Sequence, residues 1–193
     1  MHGMFFQDST NLDYITGIDL SEFNTSNVTT MYGMFDGPSN ISSLNLSTFD
    51  TSKVTDMSHM FRHKQNISSL NLSNFDTSRV TSMESMFRHM YGLTSFSLPS
   101  FNTSNVTDMA YMFEDVKNLV SLDLSSFNTA NVQNMEEMFA HTAALQTIRV
   151  SNNFVTNSVT NSNNMFAYTF QLVGQNGTTY SNTNPSDKTY ARV

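Results

Sequence analysis

Residues 102–113 read NTSNVTDMAYMF, and the same stretch recurs along the chain. NTSNVTTMYGMF occupies 24–35, DTSKVTDMSHMF 50–61, DTSRVTSMESMF 76–87 and NTANVQNMEEMF 128–139, each 26 residues after the last. A fixed period of this length restricts the architecture sharply. Each repeat is one coil, too short to bury its apolar face alone, and a continuous core forms only when neighbours stack.

A second pattern lies between these copies. Ile41-Ser-Ser-Leu44-Asn-Leu46 returns as Ile67-Ser-Ser-Leu70-Asn-Leu72, Leu93-Thr-Ser-Phe96-Ser-Leu98, Leu119-Val-Ser-Leu122-Asp-Leu124 and Leu145-Gln-Thr-Ile148-Arg-Val150, with an earlier copy at Ile15 to Leu20. Alternation such as Leu44-Asn45-Leu46 has period two, which puts the leucines inside and the Asn outside. Stacking would pair these segments into a parallel sheet with neighbours about 4.8 Å apart. Three residues on come Phe23, Phe49, Phe75, Phe101 and Phe127, expected as an internal stack where the coil turns. Each is followed by Asn or Asp and then Thr, residues whose side chains bond nearby backbone and hold turns.

The opposite side of the coil admits two readings. Val106, Met109, Met112 and Phe113 fit a helical face. They also fit a short extended segment followed by one helical turn at Ala110 to Phe113. The brevity of the segment and the β-prone Val-Thr pair favour the second. The fold class is thus a repeat solenoid of 26-residue coils. It carries a parallel β-sheet on one face and short extended or single-turn helical segments on the other.

About six coils fill residues 1–170, starting mid-repeat, since Met4-Phe5 matches Met34-Phe35. Residues 171–193 read as a cap or linker, with Gly174, Pro185 and a hairpin signal at Asn176-Gly177. The expectation is a piece of a longer chain.

Composition narrows the function. The net charge is -7 and only 13% of residues are charged. That argues against nucleic acid, which needs clustered Lys and Arg. With no Cys there is no disulfide framework or thiolate metal site. No apolar run approaches the roughly 20 residues of a membrane-spanning helix. No Ser-His-Asp grouping, phosphate loop or carboxylate pair stands out from the repeat, so no enzyme and no cofactor are expected. His59 and His63 have the i, i+4 spacing of metal ligands on a helix, but no third ligand recurs with them.

Two surfaces are candidates for binding a partner. Just after each repeat Phe, Arg62, His63, Lys64, Arg88 and His89 form a local basic patch, which suits an anionic partner such as an acidic glycan. Were the His residues to take part, binding would strengthen below about pH 6.5. The alternative is a solvated edge in which Arg88 pairs with Glu114 one coil on. The other surface is the exposed strand column of Asn45, Asn71, Ser97, Asp123 and Arg149, a lattice of polar groups able to hold a protein or glycan by many weak contacts. The Thr columns, which could suggest an ice-binding face, are better explained by backbone bonding.

LVSLDLSSFNTANVQNMEEMF, with FNTSNVTDMAYMF before it, resembles the BspA-type leucine-rich repeats of bacterial surface proteins, in the Met-Phe variant of lactic-acid bacteria and mycoplasmas. The resemblance covers roughly Ile15 to Phe166. It implies a right-handed leucine-rich-repeat solenoid on the bacterial cell surface or secreted, in a larger chain. It further implies a monomeric, non-catalytic module that adheres to an extracellular protein or glycan. A structural stalk that presents another domain is the alternative. The chain departs from the family where Cys often follows the repeat Phe by three residues; here Pro38, Lys64, Met90, Val116 and Thr142 stand instead.

Overall fold

A computed structural model describes residues 16–37 and 40–173. Met4-Phe5, Ile15, Pro38 and the segment from Gly174 onward, including Asn176-Gly177, lie outside the described residues. The expectations about both ends of the chain lie there with them.

A column of parallel bridges joins six successive repeats. Thr30 pairs with Asp56, Asp56 with Ser82, Ser82 with Asp108, Asp108 with Asn134, and Asn134 with Asn161. These six residues number the repeats 1 to 6 below. In repeats 1 to 4 and 6 the bridging residue follows a Val-Thr pair, whose branched side chains favour extended backbone. Thr55 N–H donates to Thr29 O at 2.8 Å, and Thr81 N–H to Thr55 O at 2.8 Å.

The expected helical turn is absent, and no helix occurs among the described residues. After each bridge the chain runs through successive tight turns instead. Alternate N–H groups then reach the next repeat: His59 N–H donates to Glu84 O at 2.8 Å, Phe61 N–H to Met86 O at 3.0 Å and His63 N–H to Arg88 O at 2.9 Å. A helical turn would send such donors to carbonyls of their own segment and leave the neighbouring repeat unbonded. The geometry needs two left-handed residues per repeat. His59 and His63, Ser85 and His89, Tyr111 and Asp115, and Glu137 and His141 all have φ between 49° and 66°. Repeat 1 places Gly33 and Gly37 there, the residues for which this conformation has no steric cost.

The sheet is shorter than the sequence pattern implies. It has three parallel strands in the order β1 (Ser95–Ser97), β2 (Ser121–Leu124) and β3 (Thr147–Val150). The segments at Ile41 to Leu46 and Ile67 to Leu72 are not strands. They read ISSLNL, rich in Ser and Asn, whereas the strands carry Phe96, Thr147, Ile148 and Val150. Side chains that fit a pleated surface are concentrated where the ladder forms.

Between bridge column and sheet lies a continuous core. Phe35, Phe61, Phe87, Phe113, Phe139 and Phe166 stack one above another, with centroids 5.3 to 5.9 Å apart and planes within 17°. The other Phe column also packs inside: Phe49, Phe75, Phe101 and Phe127 are buried, and Phe101 stacks on Phe127 at 6.4 Å. Met31, Met57, Met83, Met109 and Met135 are fully buried, and their flexible thioethers fill the space around the rings.

Thr and Asx fasten the repeats by different means. Asp50 and Asp76 accept the backbone N–H of Ser52 and Ser78, each two residues on and each at 2.9 Å, closing local turns. The Thr does not bond locally. Thr51 Oγ1 donates to Asp76 O at 2.9 Å and accepts from Asp76 N–H at 2.8 Å, clasping the next repeat. Thr25, Thr77, Thr103 and Thr129 make the same double bond.

Candidate functional site

On the sheet side, β1 to β3 border a cleft of about 500 Å³. Its walls include the apolar side chains of Leu70, Phe96 and Leu122 and the polar groups of Ser97, Asp123 and Arg149. The last three come together because the strands are in register, Ser97 against Asp123 and Asp123 against Arg149. Asp123 accepts the backbone N–H of Ser125 at 2.9 Å, and hydrogen bonds from Ser125 hold its carboxyl below the usual range, keeping it anionic. Arg149 is exposed beside it. The cleft therefore offers one anion, one cation and a row of hydroxyls over an apolar lining, a combination that suits a polar ligand with some apolar surface.

Two more residues of the expected strand column, Asn45 and Asn71, make the same turn bond as Asp123 but lie on no strand. Asn45 and Asn71 are exposed, but each turns its carbonyl oxygen back to the backbone N–H of Ser47 or Ser73, at 3.2 and 3.1 Å. They fasten turns outside the ladder. The apolar wall was not singled out from the sequence. Phe96, the one aromatic in a column otherwise held by Leu and Ile, is the signal that marks it.

The basic edge is charge-balanced by carboxylates one repeat away. The Arg62 guanidinium grips Asp36, with Nε 2.9 and 3.1 Å from the two carboxylate oxygens. Burial pushes Asp36 up, but hydrogen bonds from His63 and Arg62 and the guanidinium charge outweigh it and hold the carboxyl at about 2. Lys64 is 2% exposed and its ammonium donates to Gly37 O; burial pushes it down to about 8. Arg88 pairs with Glu114, the partner that the solvated-edge reading expected, and lies 5.1 Å over the Tyr111 ring. His89 Nδ1 is 3.0 Å from Asp115, which also receives the Tyr91 hydroxyl at 2.9 Å and lies 3.5 Å from Lys117.

His89 does not supply the charge that an acid-strengthened contact near pH 6.5 would need. Burial, followed by the neighbouring His63 and Arg88, holds it down at about 4. His59 and His63 share no helix face. His59 Nε2 lies 3.8 Å from Glu84, and His63 Nδ1 lies 3.4 Å from Asp36. Glu114, Glu137 and His141 bring ligand-type atoms within 4.8 Å of one another. Glu114 is already paired with Arg88, which leaves fewer donors than a metal ion takes.

A family model described as "Mycoplasma protein of unknown function, DUF285" matches residues 1–96 and 65–180. The crystal structure of a T. pallidum leucine-rich-repeat protein is similar in fold, with a TM-score of 0.52 at 18% identity. The alignment covers 76% of this chain and 62% of that one, so the chain spans less than two thirds of that protein's length. No curated protein matches.

Proposed function

From the premise that this chain belongs to the DUF285 family of Mycoplasma proteins, we propose that it is a non-catalytic interaction module of the bacterial cell surface. In this reading it is a leucine-rich-repeat solenoid of the BspA type, about six coils over residues 1–170. Residues 171–193 serve as cap or linker. It adheres, as a monomer, to an extracellular protein or glycan.

The observation that carries the reading is the cleft bordered by β1 to β3. Asp123 and Arg149 stand there in register on adjacent strands beside Phe96 and Leu122. The experiment is a glycan-array and matrix-protein screen with the chain and its Asp123→Ala/Arg149→Ala variant. Selective binding lost in the variant supports the cleft. Binding that survives in the variant but weakens in Arg62→Gln, with the fold intact by circular dichroism, moves the site to the basic edge.

The second reading is a spacer, and the Thr clasps favour it. They commit a hydroxyl in each of repeats 1 to 5 to stacking. An extended polar lattice of this kind is stiff whether or not it binds. Failure to bind across the whole screen at two pH values supports the spacer.

A further inference from the structure

The charged edge is uneven along the stack. Ion pairs tie repeat 1 to repeat 2 through Asp36 and Arg62, and repeat 3 to repeat 4 through Arg88 with Glu114 and His89 with Asp115. Between these ties, at the junction of repeats 2 and 3, like groups face each other. His63 stacks on His89 with ring centroids 4.8 Å apart and planes within 17°. Arg62 and Arg88 hold equivalent places in the next column, and each guanidinium is drawn away from the junction by a carboxylate on its far side.

The other groups around the two rings are Asp36 at His63 and, at His89, Asp115, Tyr91 and Lys117. Lys64 is buried nearby on its bond to Gly37. Across the junction itself, Glu84 of repeat 3 lies 3.8 Å from His59 of repeat 2, whose ring packs on Tyr32. Asp56 and Asp108 add their fields to Glu84.

We propose that the junction between repeats 2 and 3 is an acid-opened seam, at which the His59 and His89 imidazoles, packed among two guanidinium groups, part the repeats when they take up protons. Burial, then His63 and Arg88, hold His89 at about 4 in the closed junction. Burial and then Arg62 lower His59 as well. Opened to water, an imidazole titrates near 6.5. Between those values the open form binds more protons than the closed one, so falling pH favours opening. Asp36 stays charged throughout this window. Glu84 acts in the opposite sense: burial raises its carboxyl, so the closed form takes up that proton more readily and falling pH favours closure there. The variant Glu84→Gln removes that opposition.

Hydrogen exchange on the full chain at pH 7.5 and 5.0 tests the seam, with rates corrected for the intrinsic pH dependence of exchange. The amides of His59, Phe61 and His63 donate across it, while those of Tyr111, Phe113 and Asp115 donate across the junction of repeats 4 and 5. The first set is expected to lose at least about tenfold protection relative to the second at pH 5.0. That loss should shrink in His89→Gln and grow in Glu84→Gln. Equal changes in both sets, or an undiminished loss in His89→Gln, would overturn the proposal. If circular dichroism shows that His89→Gln does not fold, His89→Asn, whose side chain tolerates the left-handed backbone there, provides the same comparison.

Discussion

Thr103 and Asn128 form a closed two-bond ring across the boundary between repeats 4 and 5. The Thr103 hydroxyl donates to Asn128 O at 2.9 Å and accepts from Asn128 N–H at 2.9 Å. A hydroxyl is the smallest side-chain group that both donates and accepts, which accounts for Thr at this place in repeats 1 to 5.

Replacing Thr103 with Val keeps the shape and removes both bonds. The backbone N–H and C=O of Asn128 lose their partner beside a buried side chain, at a cost of about 2–4 kcal/mol. Thr103→Ser should recover most of the loss. Urea unfolding of the two variants checks this; equal midpoints for Val and Ser would show that the clasp contributes nothing.

Phe87 sits in mid-stack, 5.9 Å from Phe61 and 5.5 Å from Phe113, with Phe96 edge-on at 4.9 Å. Phe87→Ala should cost about 3–5 kcal/mol through lost burial and the cavity left behind. Phe87→Leu should cost less than half as much. Thermal or denaturant unfolding provides the measurement.

Ser85 has φ 56° and a fully buried hydroxyl without a hydrogen-bond partner. Gly33 holds the equivalent place in repeat 1. Ser85→Gly relieves the left-handed backbone and the unpaired hydroxyl together, so stability should rise by about 1 kcal/mol. A fall in the unfolding midpoint would contradict this account of the turn.

Asp36 has a folded value of about 2, below its ordinary one. A depressed carboxyl stabilises the fold above its unfolded value near 4, and that contribution disappears as pH falls through about 2. Asp36→Asn should therefore destabilise the protein by about 2 kcal/mol at pH 6 and by little at pH 2. Paired unfolding curves at the two pH values decide it.

Lys64 gives the same sign of pH dependence at the alkaline end, because its folded value is lowered too. Its folded value is pushed down to about 8, so between 8 and its ordinary value near 10.4 the unfolded chain binds more protons and stability rises with pH. The stability difference between the natural chain and Lys64→Met should shift in favour of the natural chain from pH 7.5 to 10. A constant difference would contradict it.

The stacking was readable because the period is stated directly by residues such as Met57, Met83 and Met109, which recur at one spacing and face one core. The turns after them were not. Apolar residues at Met109, Met112 and Phe113 suit a helical turn and a stacked turn equally. What decides between them is whether the donors of Tyr111 and Phe113 reach carbonyls in their own segment or at Glu136 and Met138 in the next repeat. Periodicity carries no information on that choice.

The candidate surfaces divide in a similar way. Ser97, Asp123 and Arg149 lie side by side because a parallel ladder aligns residues 26 apart. Asn45 and Asn71 belong to the same column, yet their poorer β-formers leave them outside the ladder. At the basic edge, residue type was legible and net charge was not. Asp36, which neutralises Arg62, stands one period earlier in the same column.

Among the described residues, side-chain hydrogen bonds between repeats span 24 to 28 positions and no more. Each layer is thus fastened only to the layers touching it. Excision of residues 77–102 would rejoin Asp76 to Thr103, restoring the Asp-Thr step and an unbroken Phe stack one ring shorter. Length in such a chain is an adjustable property, set by how many times a 26-residue unit was copied and independent of what any exposed surface recognises.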